Sequence, residues 1–134
     1  MKLSQTNAYA IAAVAYLANV PAGKIVSNTE ICQATQMPGR YVLQLLRELV
    51  KADVLISTRG IFGGYRLARP ANKITLLEII EAVEGPIGAS GVVELAISSK
   101  GRTALANAFA AIEADARKRL GAITLSDLRA AKPT

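Results

Sequence analysis

One cysteine, no histidine and no tryptophan occur among these 134 residues, and each scarcity removes a class of chemistry. A lone cysteine cannot close an internal disulfide. Without imidazole, the chain lacks the commonest metal ligand and the side chain that titrates near neutral pH. No apolar run reaches the roughly 18 to 20 residues that a bilayer-spanning helix needs, so no membrane partner is expected. The alanine-rich stretch over residues 8–20 lacks the strongly basic start and cleavage context of a signal peptide. A cytoplasmic protein is the expectation. No carboxylate pair in a pocket context and no nucleophile with an evident base can be picked out, so no enzyme is expected.

What is present points elsewhere. Hydrophobic residues make up 51% of the chain, enough for a core. Its abundant alanine and leucine favour a mainly helical fold. The length suits one domain, or one domain with an appendage. Formal net charge is +6 and unevenly spread: residues 1–70 hold eight basic side chains against three acidic ones, and residues 71–134 hold eight against seven. A basic excess concentrated in one half suits a polyanion such as DNA, although a merely soluble basic domain would show the same total.

The basic half contains Arg59-Gly60-Ile61-Phe62-Gly63-Gly64-Tyr65-Arg66-Leu67. Arginines flank a glycine-rich turn between two strand-like runs, residues 54–58 and 65–68. Such glycines let a hairpin backbone turn tightly and come close to another surface. Before it, Ser4 can cap a helix over about 5–19, and Ser27-Asn28-Thr29-Glu30 has the form of a capping box opening a helix over about 28–35. Pro38 suits the first turn of a third helix, whose Val42, Leu45, Leu46, Leu49 and Val50 recur at helical spacing. Two helices joined by a tight turn and followed by a basic hairpin predict a helix-turn-helix with a wing.

Beyond the wing, Thr75-Leu76-Leu77-Glu78 predicts a capped helix to about Glu84, stopped by Gly85-Pro86. Residues 87–98 read as a loop, and a long helix follows over about 100–120. Its stripe of Leu105, Phe109, Ile112, Ala116 and Leu120 has little left to cover if the winged unit closes its own core. The same helix of a second copy is the simplest partner, packing back on its own domain the other. Thr124-Leu125-Ser126-Asp127 starts a last short helix. The expected division is a winged DNA-binding domain over 1–86, a loop over 87–98, and a dimerisation helix with a short C-terminal helix over 99–134.

These residues resemble the IscR–NsrR–CymR family of bacterial winged-helix regulators (Rrf-two type) over nearly the whole chain. The resemblance is carried by Met1-Lys2-Leu3-Ser4 with Tyr9-Ala10, by residues 41–49, by the wing at 59–67, by the run from Ile74 to Glu84-Gly85-Pro86, and by residues 123–128. It implies a mainly α fold with a small β-hairpin and homodimeric binding to double-stranded DNA, most simply as a repressor. The DNA-facing set it implies is Pro38, Gly39, Arg40, Tyr41 and Gln44 at the start of the third helix, Arg59, Gly60, Gly63, Gly64 and Tyr65 in the wing, with Ser4 and Thr29. The chemistry agrees, since Gln44 can pair bidentately with adenine, Arg40 with guanine or a phosphate, and Arg59 with a narrow minor groove. Tyr41 could equally pack the helix start, and Arg47 suits a solvated surface. A protein-docking winged module is the alternative function.

The chain departs from the family pattern in three places. Leu43 stands where a glutamate is frequent, so an operator preference cannot be carried over. Asp53 replaces the glycine that usually ends the third helix, and aspartate tolerates the left-handed conformation. The loop after Glu-Gly-Pro holds no cysteine, although several family members ligate an iron–sulfur cluster through three cysteines there. Neither a cluster nor zinc at that place is expected, and no cofactor is assigned. Cys32 is left as a redox candidate or a half-buried helix residue. A small-molecule or protein effector of unknown identity is the further partner considered.

Overall fold

The computed structural model describes residues 3–87 and 97–129; nearly all of the loop expected over 87–98 lies outside the described residues. Ser4 opens α1 (Gln5–Asn19), its Oγ accepting the Asn7 N–H at 3.1 Å. Ser27 opens α2 (Asn28–Thr35) in the same way, accepting the Glu30 N–H at 3.1 Å. The other half of the expected capping box is not formed. Glu30 instead accepts the Tyr16 hydroxyl at 2.6 Å and lies 3.8 Å from Lys24 Nζ. Tyr16, on the neighbouring helix, competes for the carboxylate, and that hydrogen bond raises the Tyr16 pKa above the usual phenol value.

Gln36 takes a left-handed conformation, φ 55°, and turns the chain into α3 (Gly39–Lys51). Pro38 is the capping residue rather than a member of the first turn, and its carbonyl accepts the Tyr41 N–H at 3.0 Å. Asp53, at φ 59°, ends the turn after α3 in the conformation anticipated for it. Strands β1 (Leu55–Thr58) and β2 (Gly64–Leu67) pair antiparallel, Leu55 opposite Leu67 and Thr58 opposite Gly64. Val26, just ahead of α2, bridges Tyr65 through reciprocal backbone bonds of 2.9 and 2.8 Å. That bridge ties the hairpin to the helix-turn-helix.

A 3-10 turn at Ala71–Lys73 leads to α4 (Leu76–Glu84), where both halves of the Thr75–Glu78 box are present. Burial acts against the charge on Glu78. The Thr75 N–H, the Arg69 guanidinium and the Thr75 hydroxyl outweigh it, and the carboxyl falls below its usual pKa. After the undescribed stretch, Ser98 caps α5 (Ser99–Gly121). The last element is a 3-10 turn, Leu125–Leu128, with Thr124 and Asp127 bonded reciprocally.

The core gathers Val14 and Leu17 of α1, Ile31 of α2, Leu46 and Leu49 of α3, Leu55 of β1, and Ile79 of α4. Each such side chain contributes about 1.5–3 kcal/mol by leaving water. Leu125, from beyond α5, is also fully buried in it. Backbone bonds from Leu76 N to Ile123 O, 2.8 Å, and from Leu125 N to Ile74 O, 2.9 Å, hold that returning segment beside the start of α4. The architecture is mainly α with one small hairpin, a winged helix-turn-helix followed by a long helix.

Helix α5 differs from the rest in having no buried residue. Its C-terminal part leans on α4, where Arg117 meets the Glu81 carboxylate at 2.6 Å and Gly121 comes close to Leu77.

Candidate nucleic-acid interface

One side of α3 makes the core and the other makes a surface, because successive helical side chains point about 100° apart. Val42, Leu45, Leu46 and Leu49 are buried, while Gly39, Arg40, Tyr41, Leu43, Gln44 and Arg47 are exposed. Arg40 lays its guanidinium over the Tyr41 ring, 5.1 Å from the centroid. Tyr41, 46% exposed, therefore supports a cation at the helix start and does not fill the core. A cavity of about 240 Å³ lies beside it, where Gln5, Thr6 and Tyr9 of α1 face Tyr41, Gln44 and Glu48 of α3. The first turns of α1 and α3 are thus neighbours.

Ser4 sits at this end of α1, half-buried. Its hydroxyl donates to the Glu84 carboxylate while its oxygen accepts the Asn7 N–H, so its hydrogen-bonding capacity is engaged within the chain. Thr29 is exposed at the start of α2, with only a 3.4 Å contact to Asn28 Oδ1.

Arg59 and Gly60 are exposed at the far end of the hairpin. Gly63, Gly64 and Tyr65 have a different setting. A Cβ on Gly63 would stand 2.2 Å from the Thr58 carbonyl oxygen, and one on Gly64 2.3 Å from that of Val26. These glycines allow the wing to fold back on itself and sit against the segment before α2. Tyr65 is half-buried against the core. The three hold the wing in place, while Arg59, Gly60, Ile61 and Phe62 form its outer surface.

The two tip side chains went unremarked in the sequence: Ile61 is 96% and Phe62 93% exposed. Two large apolar residues inside a turn otherwise made of glycine and arginine were the available signal. Arg40, Arg47 and Arg59 pair with no carboxylate among the described residues. On α5, Leu105, Phe109 and Ile112 are exposed, whereas Ala116 and Leu120 are half-buried. Cys32 is half-buried on α2, and its Sγ donates to the Met37 carbonyl at 2.9 Å.

No helix among the described residues is long and apolar enough to cross a membrane. The Rrf2 family model, described as iron-dependent transcriptional regulator, matches residues 3–131. A protein of Mycobacterium tuberculosis assigned by its name to the HTH-type transcriptional regulators is 30% identical over 131 residues, which is 96% of this chain and 81% of that one. The HTH-type transcriptional regulator IscR of Cereibacter sphaeroides is 38% identical over 91 residues, covering 66% of this chain and 59% of its own. Among solved structures, CymR of B. subtilis, titled the global cysteine regulator, superposes with a TM-score of 0.74 at 29% identity, covering 96% of this chain and 95% of that one.

Iron, which the family description implies, finds no fitting donor set here. The chain has a single thiol, bonded into the turn between α2 and α3, and no imidazole. The described residues hold no group of three His, Cys, Asp or Glu suited to a metal ion. Two cysteines or histidines short of a three-ligand site, the chain nonetheless has the regulators' fold, and it belongs to the Rrf2 family of transcriptional regulators.

Proposed function

We propose that this DNA-binding regulator acts as a homodimeric repressor, with the start of α3 in the major groove and the wing tip in the adjacent minor groove. The observation that carries this reading is the division of α3. Its core side is fully used, while Arg40, Tyr41 and Gln44 face outward with a wing fixed beside the helix-turn-helix by the Val26–Tyr65 bridge. Gln44 and Arg40 read base edges; Arg59 enters the minor groove; Phe62 and Ile61 lie against its sugars as apolar contacts. Residues 1–86 form the reading unit, and α5 with its Leu105, Phe109 and Ile112 stripe joins two copies. Two-fold pairing then requires half-sites whose centres are about 34–36 Å apart, or a multiple of that. Repression follows from occupying promoter DNA. Cys32 serves as a packed helix residue whose thiol is bonded locally.

The test starts by sequencing DNA selected by the purified protein. Arg59→Ala is expected to lower affinity for that DNA about tenfold and reduce the slope of log K against log salt by about 0.9, one phosphate-equivalent of released counterion. Unchanged affinity and slope would take the wing out of the interface. The exposed Ile61 and Phe62 favour a second reading, a wing that docks a protein. That reading is favoured if no DNA sequence is enriched and Phe62→Ser abolishes capture of a protein partner.

A further inference from the structure

A second concavity lies at the opposite end of α1 from the reading residues. It opens beside Leu17 and Ala18 in the last turn of the helix, where the chain turns through Pro21 to Lys24, and it has a volume of about 560 Å³. Pockets for small organic ligands are typically about 300–1,000 Å³. The base of the wing and the last 3-10 turn close its other sides. Among the described residues its charged lining side chains are Lys24, Arg66, Arg69 and Arg129, with no carboxylate.

These four cations are not equally engaged. Arg69 is held by Glu78 at 3.0 Å and by the carbonyl of Lys73 at 2.8 Å. Lys24 has only the 3.8 Å contact with Glu30. Arg66, half-buried on β2, and Arg129, exposed, pair with no carboxylate among the described residues. Like charges lining one concavity sum to a positive potential within it. A partly buried guanidinium without a counter-charge is the kind of group an oxyanion completes through two parallel hydrogen bonds. Leu17, Leu67 and Ala71 add an apolar wall, against which a short carbon skeleton can lie.

We propose that this groove binds a small multivalent oxyanion, a di- or tricarboxylate or a phosphate ester, anchored by Arg66 and Arg129 with Lys24. A small ligand fits better than nucleic acid. The groove is at the C-terminal end of a 15-residue helix, about 22 Å along its axis from the turn that adjoins Tyr41 and Gln44. The inference is independent of the DNA reading, because anion binding to the groove is measured on the protein alone.

The experiment is calorimetric titration of the full chain with citrate and, separately, glycerol 3-phosphate at about 0.15 M salt, where weak surface attraction is screened. Saturable binding of at least one probe is expected, weakened about tenfold or more by Arg66→Gln, since the bonds lost are charge-assisted. Arg129→Gln, at an exposed position that leaves the fold intact, is expected to weaken it in the same direction. Arg119→Gln, on α5 and paired with Asp115, is expected to leave binding unchanged. No saturable binding of either probe up to about 10 mM, or binding indifferent to both groove substitutions, overturns the proposal. In a parallel titration with DNA, absent anion binding together with a lower salt slope in Arg66→Gln would also overturn it, assigning the groove to backbone phosphates.

Discussion

In α3 the apolar positions Val42, Leu45, Leu46 and Leu49 are all buried, whereas in α5 Leu105, Phe109 and Ile112, spaced by the same threes and fours, face solvent. Both stripes satisfy the same periodicity. The first is covered by α1, α4 and β1 of its own chain, and the second meets α4 only near its C-terminal end. Periodicity therefore reports which face is apolar and carries no information about what covers it. An exposed stripe on a helix capped at its start by Ser98 and held to α4 by Arg117 is stable enough to persist yet has apolar area left to bury.

The contrast breaks most sharply under truncation. Leu49→Ala is expected to cost about 2–5 kcal/mol of folding stability through the cavity it leaves, read as a lowered urea midpoint with unchanged slope. Phe109→Ala, at a side chain 58% exposed, is expected to cost less than about 1 kcal/mol when measured at protein concentrations low enough to keep the chain monomeric. Equal losses at the two sites would place the α5 face inside the folded unit. A smaller effect concerns association. Phe109→Glu is expected to raise the dissociation constant of the proposed dimer at least about 30-fold, the scale of a buried anchor residue, as followed by sedimentation equilibrium. An unchanged constant would assign the stripe some other cover.

The smallest effect sharpens the point of attachment. Glu81 accepts both the Arg117 guanidinium at 2.6 Å and the Ile87 N–H at 2.9 Å. Glu81→Gln is expected to change global stability by less than about 1 kcal/mol, as for most exposed or half-exposed ion pairs. It should also speed amide exchange selectively in α5. Uniform acceleration through α1 and α3 would show that the pair supports the core.

The local rules of helix entry were legible in the residues. Ser4, Ser27 and Thr75 accept the backbone N–H groups that their hydroxyls can reach, and Asp53 takes the left-handed turn. Ser98, assigned by the sequence reading to a loop, caps α5 in the same way. Whatever depends on distant parts of the chain was not. Glu30 had a competitor in Tyr16, fourteen residues earlier on another helix, and its capping bond gave way. The final segment forms a 3-10 turn in which Leu125 reaches the core while its own N–H donates to the Ile74 carbonyl and the Ile123 carbonyl accepts the Leu76 N–H. At the candidate interface, sequence reasoning placed Arg40, Gln44 and Arg59 on exposed surface and left Tyr41 between surface and packing; Tyr41 is exposed. It missed that Gly63 and Gly64 are needed for backbone approach within the protein, and that Ile61 and Phe62 extend furthest into solvent. The groove around Lys24, Arg66 and Arg129 assembles three separate stretches, so no window of sequence contains it.

The return of Leu125 to the core has a topological consequence. The chain leaves the packed unit after α4 and re-enters it at Ile123 and Leu125, so α5 is an excursion anchored at both ends, a closed loop and not a free tail. Fixing both ends lowers the entropy that the excursion can gain by melting. The strand-like pairing of Thr75 with Thr124 fastens the returning end of that excursion to the entrance of α4.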